Sequence, residues 1–113
     1  MLYMQSFNVK EGQQKEFQEW IKKNEGLLRK HAPKGWTYWG THAYVLGFGR
    51  YHAAMIWQCS KYGDFDTMRE HDDPTFVRLF EEFDAITDPS FSEAVLLREI
   101  GDVKIIEAKK PKK

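Results

Sequence analysis

Cysteine is almost missing from this sequence. Cys59 is the only one among 113 residues, so no internal disulfide can form, and a reducing, cytoplasmic setting is predicted. No run approaches the ~18 consecutive apolar residues of a membrane span. The N-terminus has no basic segment followed by an apolar stretch, so neither a signal peptide nor a membrane partner is expected. An excess of positive charge is lacking as well, since Lys plus Arg equals Asp plus Glu at 17 each. Lys109, Lys110, Lys112 and Lys113 lie in the last five residues, and the other 13 bases against 17 acids leave residues 1–107 at −4. Such a body has no basic stripe for nucleic acid, and no nucleic-acid partner is predicted. Without repeats, linkers or low-complexity tracts, the length suits one domain over 1–107, followed by a basic disordered tail over 108–113.

Aromatic residues are abundant instead. Four Trp, five Tyr and eight Phe make up 15% of the chain, which gives a small domain more apolar area to bury than its length suggests. Leu2 to Val9 has strand composition and ends in a Lys10-Glu11-Gly12 turn. Residues 13–31 switch to helical spacing, with Phe17, Trp20, Ile21, Leu27 and Leu28 on one stripe, and Ala32-Pro33-Lys34-Gly35 stops the helix. Trp36 to Val45 and Tyr51 to Cys59 read as strands joined through Gly47-Phe48-Gly49. Asp64 is placed to cap a short helix running to about His71, and Asp73-Pro74 restarts it with Asp as cap and Pro in the first turn. After a loop at Asp88-Pro89-Ser90, Phe91 to Ile100 forms the last strand, with a short edge strand over Val103 to Ile106. The order β-α-β-β-α-β predicts an α+β, ferredoxin-like domain: a four-stranded antiparallel sheet with helices on one face.

Side chains alternate across a strand, so each strand divides into two rows. Trp36, Tyr38, Gly40, His42 and Tyr44 form one row of the second strand, and Thr37, Trp39, Thr41, Ala43 and Val45 the other. In the third strand both rows, His52-Ala54-Ile56-Gln58 and Ala53-Met55-Trp57-Cys59, are largely apolar. Helices on one face leave the second apolar face in water, more than the few hundred Å² a soluble monomer tolerates. A homodimer packed sheet to sheet is the simplest solution.

The element order, the double-sided sheet and the segment Trp57 to Phe80 (WQCSKYGDFDTMREHDDPTFVRLF) resemble the dimeric α+β barrel superfamily. There a strand ends in Trp, a Ser or Lys turn follows, and a helix runs into an Asp-Pro break and a second helix. Within that superfamily the chain is most similar to NIPSNAP-type and antibiotic-biosynthesis-monooxygenase-type domains, over about residues 1–100. The resemblance implies fold more sharply than function. Haem-degrading members use an Asn on the first strand and a Trp and a His on later helices. Asn8 matches the first, whereas Met68 and Arg78 stand near the other two positions, unless His71 serves as the His, so that set is incomplete. If the chain is an enzyme, the resemblance implies cofactor-free monooxygenation of a phenolic or electron-rich substrate. His71 or His52 would then be the base, and Asn8 and Trp57 would stabilise the developing anion.

Among the remaining candidates, His31, His42, His52 and His71 lack the spacing of a zinc site, and no metal or cofactor is predicted. Capping accounts for Asp64 and Asp73, and Cys59 reads as a small buried residue. Tyr38, His42, Tyr44 and Gln58 mix rings with hydrogen-bonding tips, the composition of a small-molecule pocket or of a wet dimer interface. The leading expectation is a homodimer with an aromatic-lined pocket for a small apolar or aromatic ligand. A monooxygenase and a non-catalytic ligand-binding or assembly module are the alternatives.

Overall fold

The computed structural model describes residues 1–45 and 51–105. In chain order these form β1 (Leu2–Val9), α1 (Gln14–Lys30), β2 (Thr37–Ala43), β3 (Ala53–Gln58), α2 (Asp64–Glu70), α3 (Pro74–Ile86) and β4 (Thr87–Leu97), then one 3-10 turn at Ile100–Asp102. The four strands make one antiparallel sheet in the order β2-β3-β1-β4, the α+β arrangement expected. The hairpin tip at Gly47-Phe48-Gly49, Ile106 and the 108–113 tail lie outside the described residues.

Helix boundaries follow from local chemistry. Lys10 C=O accepts the Gln13 N–H at 3.0 Å, closing the turn that launches α1, and the His31 N–H returns to Leu27 C=O at its far end. At α3 the Asp73 carboxylate accepts the Thr75 and Phe76 N–H groups at 2.8 and 3.1 Å, and Pro74 occupies the first helical position, where its missing N–H costs nothing. Asp64 behaves differently from the expected cap. It is the first residue of α2, and its Oδ2 reaches back to the Ser60 and Lys61 N–H groups at 2.9 and 3.0 Å. Its carboxylate therefore closes the β3–α2 turn, and its own carbonyl takes the buried Trp36 indole N–H at 2.7 Å.

One face of the sheet is covered by the helices. Phe7 of β1 meets Phe17 and Phe83 with ring centroids 5.4 and 4.8 Å apart, and Trp57 of β3 meets Tyr38 and Phe76 at 5.0 and 6.0 Å. Trp57, Phe7, Leu28, Met55 and Leu79 are the large side chains most completely removed from water. Tilted and edge-on contacts among these rings suit their quadrupoles.

Three sequence expectations are corrected. First, β4 begins at Thr87, directly after α3, where a loop at Asp88-Pro89-Ser90 was expected. Asn8 and Val9 pair with Asp88 and Thr87, then the register jumps so that Phe7 faces Ser92. The Asp88 carboxylate folds onto the Ser90 N–H at 2.9 Å, and Pro89 sits in the irregularity on an edge strand, where it needs no ladder bond. Second, β4 ends at Leu97, so Ile100 lies in the 3-10 turn and Val103 to Ile105 form no strand. Third, the two rows of β2 exchange faces midway. The register with β3 slips between Tyr38 and Gly40, so Tyr38 lies opposite Trp57 and Gly40 opposite Ile56. This bulge puts Trp36 and Tyr38 against the helices but His42 and Tyr44 on the opposite, open face. Gly40 has φ +105°, in the region that favours glycine, which explains why the bulge falls there.

Candidate functional site

The bulge and the ends of β3 decide where the candidate residues lie. Tyr38 is buried against Trp57, its hydroxyl 2.5 Å from the Thr41 Oγ1, with the Arg29 guanidinium over its ring. Burial raises the Tyr38 phenol above its ordinary value. Tyr44, on the open face, reaches Ser6 Oγ at 2.7 Å. Since Ser6 pairs with Ala54 in β3, the Tyr44 ring spans β3 above Ala54, a residue small enough to lie beneath it. Gln58, at the other end of β3, accepts the Trp39 indole N–H at 2.6 Å. The structure therefore separates Tyr38 from His42 and Tyr44 by the thickness of the sheet. Gln58 is parted from them by the length of a strand.

His42 and His52 do come together, one on each side of the hairpin. His42 pairs with Ala54, and Tyr44 N–H bonds His52 C=O, which places both histidines at one end of the sheet. His42 Nε2 lies 3.3 Å from Trp39 C=O, so in neutral form it carries the proton there and leaves Nδ1 as acceptor. His52 Nδ1 lies 3.2 Å from the Val9 N–H and accepts from it. Neutral His52 therefore bears its proton on Nε2 and presents a donor. Asn8 joins the same cluster, its Oδ1 accepting the His52 backbone N–H at 2.8 Å.

The other implied catalytic residues lie elsewhere. Trp57 is buried in the core against Tyr38, Phe76 and Phe80. His71, at the α2–α3 junction, donates from Nε2 to His31 C=O at 2.8 Å, and His31 Nδ1 donates to Asp73 at 2.9 Å. That chain ties the end of α1 to the start of α3. The His31 hydrogen bond, helped by the Phe76 and Thr75 N–H groups, holds the Asp73 carboxyl below the ordinary carboxylate range.

Beside the His42–His52 cluster is a cleft of about 560 Å³, between the first half of α1 and the ends of β1, β2 and β3. Val9, Phe17, Ile21, Ala43 and Ala53 form its apolar walls, Thr41 and His52 supply polar tips, and His42, whose ring lies on the open face, borders it. Gln14, Lys15, Gln18 and Lys22 of α1 complete the lining. None of these four was singled out from the sequence. A signal was present all the same: positions 14, 18 and 22 recur every four residues, one stripe of a helix. A larger hollow of about 900 Å³ lies near Gln58 and Trp39, lined also by Arg98, Glu99 and Asp102 and by neither histidine. With more polar than apolar lining, it is the poorer match to a pocket for an apolar molecule. Among the described residues no three His, Cys, Asp or Glu side chains are placed to hold a metal, and no helix is long and apolar enough to cross a membrane.

No family model matches the chain, and no curated protein matches its sequence. Solved structures do match its shape. An uncharacterized NIPSNAP domain protein from Burkholderia xenovorans superposes with a TM-score of 0.68 at 14% identity, covering 92% of this chain and 98% of its own. Protein Atu4242 from Agrobacterium tumefaciens gives 0.62 at 13% identity over 94% and 100%, and HapK from Hahella chejuensis gives 0.59 at 13% over 95% and 100%. The likeness spans nearly every residue of each partner, at identities that establish a shared fold and nothing finer.

Proposed function

We propose that this NIPSNAP-type α+β domain acts as a homodimer that binds a small, largely apolar molecule in the cleft beneath α1. The observation that carries the binding reading is the composition of that cleft: apolar walls from three strands and a helix, with polar groups from Thr41 and His52. Such a lining fixes the orientation of a ligand whose affinity comes from burial.

The dimer reading is supported by the open sheet face. Leu2, Trp39, Tyr44, Val95 and Leu97 all lie on it and are exposed, with Met4 and Ile56 between them. The outer strand β4 adds a second indication, because every residue from Ser90 to Leu97 is exposed, so the helices cover neither of its faces there. Occupying this face with a second copy would bury apolar area worth about 25 cal/mol per Å² before the cost of association. Light scattering at micromolar concentration tests it: a mass near twice 13.4 kDa is expected, and Ile56→Glu, which places a charge in the middle of the face, should give the single-chain mass. Wild type at the single-chain mass would overturn the dimer.

Binding is tested by soaking crystals and by calorimetry with a panel of small apolar and aromatic molecules. Density in the α1 cleft is expected, and a dimer that binds none of them favours the assembly-module alternative. For the cofactor-free monooxygenase, oxygen consumption above background with quinols is the corresponding test. Its weak point is geometric. His52 offers a donor where a base needs a lone pair, and Trp57 lies in the core, away from the His52–Asn8 cluster.

A further inference from the structure

Resting on the ligand-binding reading of the α1 cleft, we infer that its ligand is an organic anion, a carboxylate with an apolar body, rather than a neutral molecule. The cleft has a chemical polarity that its apolar walls do not explain. Lys15 and Lys22 line its α1 side together with Gln14 and Gln18, and from the sheet side comes His52, whose Nε2 is an N–H donor in the neutral ring. No carboxylate lines the cleft. Among the described residues neither lysine forms an ion pair, so both ammonium groups keep their charge available. Glu16, one residue from Lys15, faces the other way and lines the groove between α1 and α3. Glu19, the other acid of this stretch, is not among the residues that line the cleft.

A molecule seated against Val9, Phe17 and Ala53 would present its polar end to the two ammonium groups, the carboxamide N–H groups and His52. Every one of these is a donor. A carboxylate accepts from several donors at once and gains from charge–charge attraction, whereas an alcohol satisfies fewer of them and an amine is repelled. Lys15 and Lys22 are exposed, so the charge contribution is screened by salt and the apolar contribution is not.

Three probes of equal chain length separate the possibilities: sodium octanoate, 1-octanol and octylamine, titrated calorimetrically into the full-length protein. Octanoate is expected to bind about tenfold tighter than octanol at low ionic strength, with octylamine weakest. Replacing both cations (Lys15→Met with Lys22→Met) keeps the stems and the fold. It should remove octanoate's advantage over octanol, and added sodium chloride should do the same. Equal binding of octanoate and octanol, or an advantage that survives the double substitution, would overturn the anionic assignment while leaving the cleft as a site. Failure of all three probes would remove the binding site itself and this inference with it.

Discussion

Replacing glycine by alanine at three positions should give three different outcomes, ordered by geometry alone. Gly26 lies inside α1, and a methyl group added there meets nothing within 4 Å. Helix propensity then decides: alanine is better by ~0.8–1 kcal/mol in a helix interior. At about 2.1 cal/mol/K of unfolding entropy per residue over the 113 residues, Gly26→Ala should raise Tm by about 3–4 °C. Gly40 is the bulge residue of β2. An alanine there must adopt φ +105°, and its Cβ would lie 3.3 Å from His42 Nε2, the end of a side chain that can move aside. Backbone strain of about 1–2 kcal/mol dominates, and Tm should fall by about 4–8 °C. At Gly35, φ is +90° and the added Cβ would come 2.7 Å from Asp64 Oδ1. That carboxylate is held by the Ser60 and Lys61 N–H groups and cannot swing away, so overlap adds to strain, about 3–4 kcal/mol together. A fall in Tm of more than about 12 °C follows. Thermal unfolding by circular dichroism at fixed protein concentration reads all three. Gly40→Ala as stable as Gly26→Ala would refute the bulge, and with it the split of Tyr38 from His42 and Tyr44. Gly35→Ala no worse than Gly40→Ala would refute the fixed position of Asp64.

The Asp64 and Asp73 carboxyls are both held below their ordinary range, Asp64 mainly by the Lys61 and Ser60 N–H groups and Asp73 mainly by His31. A depressed carboxyl contributes stability that is complete above the ~3.9 of an unfolded Asp and is lost as pH falls through the lower folded value. Denaturant midpoints should therefore drop on acidification below about pH 4, and a drop no smaller in Asp64→Asn than in wild type would contradict the bonding described. Leu28 is fully buried between α1 and the sheet, so Leu28→Ala should cost about 2–5 kcal/mol in urea unfolding; a loss under about 1 kcal/mol would mean that the core is packed otherwise. Burial pushes the Cys59 thiol up, so iodoacetamide should label it slowly in the native protein and fast in guanidinium, and equal rates would place it at the surface.

The sequence was informative wherever one short-range rule decided the outcome. Asp73-Pro74 predicts the α3 start because a carboxylate acceptor and a pre-set φ act within three residues. The rows of β3 predict its two faces because that strand keeps its period of two throughout. Reading failed where a longer-range pairing overrode the local pattern. The β2 row ran unbroken from Trp36 to Tyr44 on paper, yet the slip at Gly40 follows from how β2 meets β3, and a lone glycine in a strand says only that a bulge is allowed. Pro89 marked a loop by composition, but on an edge strand a proline interrupts the ladder without ending it.

The same distinction explains why the cleft was half visible. His42 was expected in a pocket and His52 as a base, and their shared end of the sheet depended on a register the sequence does not specify. The α1 contribution went unread because Gln14, Lys15, Gln18 and Lys22 have the composition of a solvated helix face. That composition cannot distinguish water from a cleft that opens into water. Once β2 and β3 are seen to pass under the first half of α1, the same residues become the charged side of an apolar hollow. The absence of acids among the cleft-lining residues then means more than the two lysines, since lysine is ordinary on any surface, while a cavity lined by charges of only one sign discriminates between ligands by charge.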